Sequence, residues 1–233
     1  MSSRDHAQPR TLAQKSAEKA ARAAARAAPP PVEATADERK SADTRERILL
    51  AAEELLRKHG IGKMTVVDVA RALEMSHANV YRHFASKTEL QDAVAHRWLD
   101  KIMQPLRLIV AERGSAAERL ERWVFTLAAA KRAKVLDDPE LFAAYHAVAE
   151  AVREVAEEHV AELRRQVAAI IRDGAAAGEF SVQDFDRAAR AVLHATLHFH
   201  HPYHVKESGG RDNTAEIRAV LQLVLAGLRS GSL

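Results

Sequence analysis

The sequence contains no cysteine, which excludes disulfide bonds, thiolate catalysis and zinc sites built on cysteine. This absence fits a reducing compartment. Only nine glycines and seven prolines occur among 233 residues, and aromatic residues make up 5%. No run of Val, Ile and Thr alternates with polar residues over the length of a strand. We therefore predict an all-α protein.

The sequence also lacks an apolar run that approaches 18 residues, and its N-terminus has no apolar core of the kind found in secretory signals. We expect a soluble, cytoplasmic protein with no membrane partner. No nucleophile motif, glycine-rich phosphate loop or pair of carboxylates with catalytic spacing is present. The sequence therefore predicts neither an enzyme nor a bound cofactor.

Positive charge is concentrated at the N-terminus. The net charge of the whole chain is only +3, but residues 1–28 contain six basic and two acidic side chains. Four of these bases, Lys15, Lys19, Arg22 and Arg26, would share one face of a helix. We predict that residues 1–40 form a basic arm and linker. The arm either folds on nucleic-acid phosphates or is a solvated extension that adds salt-sensitive affinity.

Residues 65–84 carry the signals for two short helices joined by a tight turn. Thr65 is followed three residues later by Asp68, and Ser76 by Asn79, which are N-cap patterns. These patterns predict helices over residues 66–73 and 76–84, preceded by a helix over residues 43–59. The three helices would form a small head.

The second of these short helices would bury Val80 and Phe84 and expose its other side. That side has the amides, cations and short side chains that suit a DNA major groove. A further cap at Ser86 puts Lys87 in the first turn of the next helix, where an ammonium can bind a phosphate. Short paired helices also occur in proteins that bind no DNA. The predicted DNA-binding residues are Thr65, Ser76, His77, Ala78, Asn79, Tyr81, Arg82, His83 and Lys87.

Residues 43–95 resemble the DNA-binding domain of the TetR (tetracycline repressor) family of bacterial transcription regulators. The residues that carry the resemblance are Thr65, the runs 68–70, 75–76 and 81–84, Lys87 and Leu90. One departure is Glu74, which stands where the family often has glycine. A left-handed conformation there would cost roughly 1–2 kcal/mol. We predict a helix-turn-helix DNA-binding domain over residues 43–90 and a helical regulatory and dimerisation domain over residues 91–233.

The remaining helices are predicted from their start and stop signals. The first covers residues 87–103 and is either interrupted at Pro105 or bent there and continued to Arg113. The others cover residues 116–134, 140–173 in two parts, a helix that starts at Ser181 and Asp184 and stops at Pro202, and a last helix from Asn213. The last helix is apolar on nearly every side, as shown by Leu221, Leu223 and Val224. Such a helix needs cover on every side, which predicts a homodimer joined by an intermolecular four-helix bundle. Burial within a monomer is the alternative.

The resemblance implies a small-molecule effector site in the second domain. The apolar and aromatic side chains that could line it also suit a plain hydrophobic core. These candidates are Trp98, Ile102, Trp123, Phe125, Leu127, Tyr145, His146 and Phe199.

His194, His198 and His201 recur at helical spacing, which can place imidazoles around one metal ion. The spacing also occurs in zinc proteases, but Ala195 stands where their catalytic glutamate would be. No carboxylate lies between Asp186 and Glu207 to complete the ligand set. Histidines that cap, pack or hydrogen-bond in a subunit interface are the more common explanation of such a cluster. Under either interpretation, titration of the imidazoles would make this seam sensitive to pH.

The sequence thus predicts a homodimeric, TetR-like DNA-binding regulator. The resemblance implies a repressor that a small-molecule effector releases from a double-stranded DNA operator. The alternative is a metal-binding helical protein or metal-responsive regulator that uses the histidine cluster.

Overall fold

The computed structural model describes residues 35–60, 63–137, 139–140, 142, 153–208 and 211–232. These residues contain ten helices and no strand, which confirms the all-α prediction. No helix within them is long and apolar enough to cross a membrane. The helices are α1 (Ala36–His59), α2 (Val66–Ala72), α3 (His77–Tyr81), α4 (Lys87–Ala111), α5 (Ala116–Asp137), α6 (Arg153–Ala176), α7 (Phe185–Ala195), α8 (Leu197–His200), α9 (Pro202–Glu207) and α10 (Thr214–Ser230).

The chain divides into two compact units, residues 1–44 and 45–233. In the first unit, the described residues are Thr35 and the start of α1. The expected linker up to residue 40 is wrong for this part, because α1 begins seven residues before the predicted start at Asp43. The Thr35 amide and hydroxyl both donate to Glu38 Oε2 at 2.7 and 3.0 Å, and the Glu38 amide donates to Thr35 Oγ1. This capping box supplies the missed start signal.

The head residues of the second unit share a core that includes Val80 and Phe84, the two side chains predicted to be buried. Ile48 of α1, Val69 of α2 and Val80 of α3 are fully buried, and Phe84 is 1% exposed. The guanidinium of Arg45 lies 4.5 Å from the centre of the Phe84 ring. Because α2 and α3 have only seven and five residues, this shared core rather than their own length must stabilise them.

The first long helix of the body decides between the two alternatives expected at Pro105. Helix α4 continues through Pro105 to Ala111, so the interruption is excluded and the continuation stops two residues before the expected Arg113. Proline removes one helical hydrogen bond, whose acceptor would be the carbonyl of Lys101. Both residues are exposed, so solvent can satisfy that carbonyl.

A buried arginine and a distant glutamate fix the start of α5. Arg119 is 3% exposed and donates to the carbonyls of Val110 and Glu112 and to Asp173 Oδ2, at 2.7–3.0 Å. Glu179 accepts hydrogen bonds from the amides of Ala116 and Ala117 and from the Ser115 hydroxyl. These amide and hydroxyl donors and the nearby Arg119 charge hold the pKa of Glu179 below its ordinary value, although burial opposes the shift.

The predicted helix that stops at Pro202 is two helices in the structure, α7 and α8, and a third helix, α9, begins at Pro202. The first ends at Thr196, whose hydroxyl donates to the Val192 carbonyl at 2.9 Å. Pro202 begins α9 instead of ending a helix, in the first helical position that proline favours. The start of α7 differs as well: its N-cap is Asp184 and not Ser181, since Asp184 Oδ1 accepts a hydrogen bond from the Arg187 amide. The amide of Ser181 instead donates to the Leu228 carbonyl at 2.8 Å.

Candidate DNA-binding surface and ligand cavity

The start of α2 is fixed by a complete capping box. Thr65 Oγ1 accepts from the Asp68 amide at 3.2 Å, while the Thr65 amide and hydroxyl both donate to Asp68 Oδ2. These hydrogen bonds, with the hydroxyl first, lower the pKa of Asp68. Thr65 is exposed beside this box.

The turn between α2 and α3 is a Schellman motif with a left-handed glutamate. The Met75 amide donates to the Ala70 carbonyl at 3.0 Å and the Glu74 amide to the Arg71 carbonyl at 3.2 Å. Glu74 has a φ of 52°, and it is the only non-glycine residue with positive φ in the described part of the chain. Glu74 thus adopts the left-handed conformation whose cost was weighed from the sequence, and the turn is regular in spite of it.

Helix α3 buries one side and exposes the other, as its sequence indicates. Ser76 caps it by accepting from the Asn79 amide at 3.2 Å. Tyr81 is 51% exposed. Asn79 is half-buried, and its side-chain amide lies 3.7 Å from the Met75 sulfur. Of the other candidates on this flank, His77, Ala78 and Arg82 are exposed and His83 is half-buried.

The next helix begins three residues after the core residue Phe84. Ser86 accepts from the Glu89 amide at 3.0 Å, while the Glu89 carboxylate accepts from the Ala85 amide at 2.6 Å, so the box closes on Ala85 and not on Ser86. Lys87 is half-buried in the first turn of α4. The predicted DNA-binding residues therefore occupy three successive helix starts and the flank of α3.

Two family models match this chain in the order of its head and body. Residues 48–94 match the model of the bacterial regulatory proteins of the tetR family. Residues 116–221 match the tetracyclin repressor-like C-terminal domain. The chain belongs to the TetR family. TetR-family proteins are DNA-binding transcription regulators, so α2 and α3 form the helix-turn-helix of such a regulator.

Solved structures of TetR-family and related regulators share the fold. GusR of Salmonella enterica is 22% identical with a TM-score of 0.57, covering 81% of this chain and 96% of that one. The fatty acid degradation regulator FadR of Bacillus halodurans is 19% identical with a TM-score of 0.59, covering 79% and 96%. FadR of Bacillus subtilis in complex with stearoyl-CoA is 17% identical with a TM-score of 0.54, covering 80% and 98%. None of the curated proteins matches this chain.

The body of this TetR-family protein contains a cavity of about 720 Å³, within the range of small-molecule sites. Its walls come from α4, α5, α6, α7 and α8, with Phe142 and the residues that begin α9. Most of the lining is apolar, and the apolar side chains include Ala95, Trp98, Leu99, Phe142, Val160, Leu163, Leu193 and Leu197.

Among the pocket candidates from the sequence, Trp98 is the described residue that lines this cavity. Ile102, Trp123 and Leu127 are at most 1% exposed and belong to the solid core instead. Trp123 donates its indole N–H to Gln166 Oε1 at 2.9 Å, which satisfies it without a ligand. Phe125 and Phe199 line a separate cavity of about 90 Å³. Tyr145 and His146 lie outside the described residues.

The polar part of the large cavity was missed by the sequence reasoning. The ionisable side chains among its described lining residues are all basic: Lys131, His159, Arg164, Arg190, His194, His200 and His201. The sequence does contain a pattern that places Lys131 on the inward face of its helix. Lys131 continues, at helical spacing, the buried stripe of Leu120, Val124 and Leu127. A lysine on such a stripe must be buried.

Burial controls the charge of these groups. It lowers the pKa of Lys131 from 10.5 to about 8. Burial and then the Lys131 charge lower the pKa of His159 well below its ordinary value, so the ring is neutral. Burial and the Lys131 charge also lower the pKa of His200, to about 4. The Nε2 atom of His200 lies 3.3 Å from the Leu193 carbonyl. A neutral His159 accepts the 2.9 Å hydrogen bond from Lys131 Nζ at Nε2.

The histidines proposed as metal ligands do not lie on one helix. His194 is on α7, His198 is on α8 and His201 is the N-cap of α9, because the helix breaks at Thr196. The ring of His198 instead approaches His204, with centroids 5.1 Å apart. No group of three His, Cys, Asp or Glu side chains within the described ranges could hold a metal ion. The geometry therefore gives no support to the metal-binding alternative.

Proposed function

We propose that this TetR-family regulator is a homodimeric repressor that binds a palindromic operator and is released by a small molecule bound in the body. The observation that carries the DNA-binding part is the polar flank of α3, exposed beside three capped helix starts. Since its target is operator DNA, we place the protein in the cytoplasm.

The proposed contacts divide into two classes. His77, Ala78 and Asn79, near the N-terminus of α3, contact base edges in the major groove. The second class contacts phosphates and sets the register of the helix without discriminating between sequences. This class comprises Thr65, Ser76, Tyr81, Arg82, His83 and Lys87.

The basic residues Lys15, Lys19, Arg22 and Arg26 lie outside the described residues, and we propose them as auxiliary phosphate contacts. A truncation that removes residues 1–34 preserves Thr35 and the capping box of α1. The truncated protein should show a smaller dependence of DNA affinity on salt, because fewer counterions are released on binding. An equal slope for both proteins would show that the arm does not contact DNA.

The proposed dimer uses α7 and α10. The buried face of α10 packs within the subunit through Ile217, Leu221 and Leu228, but Leu223 on the opposite side is 76% exposed. Leu197, just beyond α7, is 38% exposed. An exposed leucine on a helix that already buries its other side favours association with a second copy. A two-fold dimer would present two α3 helices to half-sites about one DNA turn apart, roughly 34–36 Å.

Helix α4 offers a route from the effector cavity to the head. Leu90 and Val94 are fully buried with the core, and Ala95, Trp98 and Leu99 line the cavity on the following turns. Farther along the helix, Lys101 pairs with Glu53 of α1 at 3.3 Å. A ligand that alters the position of α4 would alter the head. It releases DNA only if it binds unequally to the two head spacings.

Footprinting of the purified protein on its own promoter tests this proposal. We expect protection of a palindromic segment at nanomolar protein concentrations and higher transcription from that promoter when the gene is deleted. Lower transcription after deletion would indicate an activator. The absence of any protected segment, with the protein folded by circular dichroism, would contradict the assignment of α3 as the DNA-contacting helix.

A further inference from the structure

We propose that the large cavity binds an apolar molecule that carries one anionic head group, and that Lys131 pairs with this group. The inference rests on the proposed function only in taking the cavity as the effector site. It specifies the chemistry of the effector, which family membership leaves open.

The charged side chains that line the cavity are positive. No aspartate or glutamate is among its described lining residues, whereas Lys131, Arg164 and Arg190 carry positive charge. Asp186 pairs with both arginines, with distances of 3.0 Å to Arg164 Nε and 2.8 Å to Arg190 Nη1. One carboxylate thus partly neutralises two guanidinium groups, and the cluster retains a positive charge. A cationic ligand would add charge of the same sign.

Lys131 provides the more specific observation. It is 5% exposed, and in the described part of the chain its polar contact is the neutral His159 ring, 2.9 Å away. Its ammonium also lies 6.0 Å from the centre of the Trp98 ring. No described carboxylate lies within ion-pair distance of it. A buried ammonium without a counter-ion is costly, and a charged acceptor from the ligand would compensate this cost.

The rest of the cavity sets the apolar requirement. Its lining is dominated by side chains such as Trp98, Leu163 and Leu197, so an inorganic anion would leave most of this surface without a partner. A neutral apolar molecule would fill the space but leave Lys131 with no counter-ion among the described residues. An anionic head group on an apolar body satisfies both regions.

The depressed pKa of Lys131, about 8, supports this assignment and gives it a second readout. A bound anion stabilises the ammonium and raises its pKa. At a pH between the pKa of Lys131 in the free protein and its higher pKa in the complex, binding must therefore take up protons from the buffer. This linkage is expected of an anion that pairs with Lys131 and not of a ligand that merely fills the cavity.

Three probes of equal chain length test the head-group requirement: decanoate, decanol and decyltrimethylammonium. We expect decanoate to bind the purified protein about tenfold or more tightly than decanol, because a charge-assisted hydrogen bond is added. The cationic probe should bind most weakly. Equal affinities for decanoate and decanol, or no detectable binding of decanoate by calorimetry, would overturn the proposal.

The variant Lys131→Met removes the charge while retaining an apolar side chain of similar length. It should lose the preference for decanoate over decanol, and the proton uptake measured near pH 8.5 in buffers of different ionisation enthalpy should disappear. Lys134→Met is the matched control. Lys134 lies on the same helix with its ammonium 5.7 Å from the Trp98 ring, but it does not line the cavity. Lys134→Met should retain the preference for decanoate over decanol and the proton uptake. If Lys134→Met lost both as completely as Lys131→Met does, the role of Lys131 would be overturned.

Measuring whether each probe releases the protein from its promoter fragment distinguishes a failure of the head-group assignment from a failure of effector-controlled release. If decanoate binds with the expected preference but no anionic ligand releases the promoter fragment, effector-controlled release is wrong and the head-group assignment stands. If decanol releases DNA as well as decanoate does, the regulatory proposal stands and the anion requirement is wrong. Both experiments use the full chain.

Discussion

Every candidate DNA contact of the folded head lies within residues 65–87, whereas the ligand cavity takes its lining from residues 95–202. In the head, each contact follows a cap or turn formed by residues three to five positions apart. In the body, residues far apart in sequence meet, such as Lys131 and His159. Local hydrogen bonds position the first site and tertiary packing assembles the second.

The two sites also treat positive charge differently. Lys87 is half-buried at a helix start, where solvent screens its charge until DNA binds. Lys131 is buried against Trp98 and His159, so its charge is costly unless an anion pairs with it. If Lys87 contacts a phosphate as proposed, the head would recognise DNA with a cation whose charge solvent partly screens before binding. The body keeps a cation whose cost a ligand can relieve.

The largest expected effect is the loss of operator binding when the proposed dimer is broken. Leu223→Asp should convert the dimer into a monomer and weaken operator binding by about 100-fold, because an unpaired charge is buried in the interface. Analytical ultracentrifugation and fluorescence anisotropy measure these changes. Leu108→Asp, at a leucine that is 69% exposed on α4, is the control and should remain dimeric. A dimeric Leu223→Asp protein would exclude α10 from the interface.

The next effect tests the cost of the buried lysine. A pKa lowered from 10.5 to about 8 corresponds to roughly 3 kcal/mol of lost stability at neutral pH, as an order of magnitude. Lys131→Met relieves this cost but forfeits the hydrogen bond to His159, worth about 1 kcal/mol. We therefore expect the free energy of unfolding at pH 7 to rise by roughly 2 kcal/mol.

The cost of burying Lys131 should also depend on pH. Between about pH 8 and 10.5 the unfolded chain keeps the Lys131 proton and the folded chain has lost it, so wild-type stability should rise with pH in this window. The advantage of Lys131→Met should shrink over the same window. Thermal unfolding at pH 7 and 9.5 measures this, and an advantage that is constant with pH would show that the lysine is not buried as a cation.

Within the head, the two classes of DNA contact should respond differently. Lys87→Ala should weaken binding to all sequences by about tenfold and reduce the salt slope by about 1. Asn79→Ala should instead relax the preference at particular base pairs. Competition with operator variants in gel-shift experiments distinguishes these outcomes. Identical profiles for the two variants would contradict the division into phosphate and base contacts.

The smallest expected effect concerns the turn. Glu74→Gly should relieve left-handed strain of roughly 1–2 kcal/mol, while the added freedom of the unfolded chain takes back about half of it. We expect a gain of about 0.5–1 kcal/mol by urea denaturation. Glu74→Ala keeps the strain and serves as the control. A gain of the same size in both would assign the effect to the carboxylate and not to the backbone.

Local signals in the sequence were sufficient for the head but not for all helix limits. The start of α2 at Thr65 followed from residues within a few positions, whereas the left-handed conformation of Glu74 was decided by the structure. The Thr35 capping box lies in a polar stretch interpreted as a linker, so α1 was predicted too short. The break at Thr196 was missed as well, because it depends on a side chain that bonds its own helix.

The sequence by itself determined the all-α fold, the helix-turn-helix and its outward flank, because capping, turn geometry and hydrophobic periodicity act over a few residues. Only the tertiary structure decided which aromatic residues are core and which line the cavity. Trp98 and Trp123 are both on apolar stripes, yet one faces the cavity and the other bonds Gln166. The basic lining around Lys131 likewise exists only after five helices pack together, because that packing removes water from the ammonium.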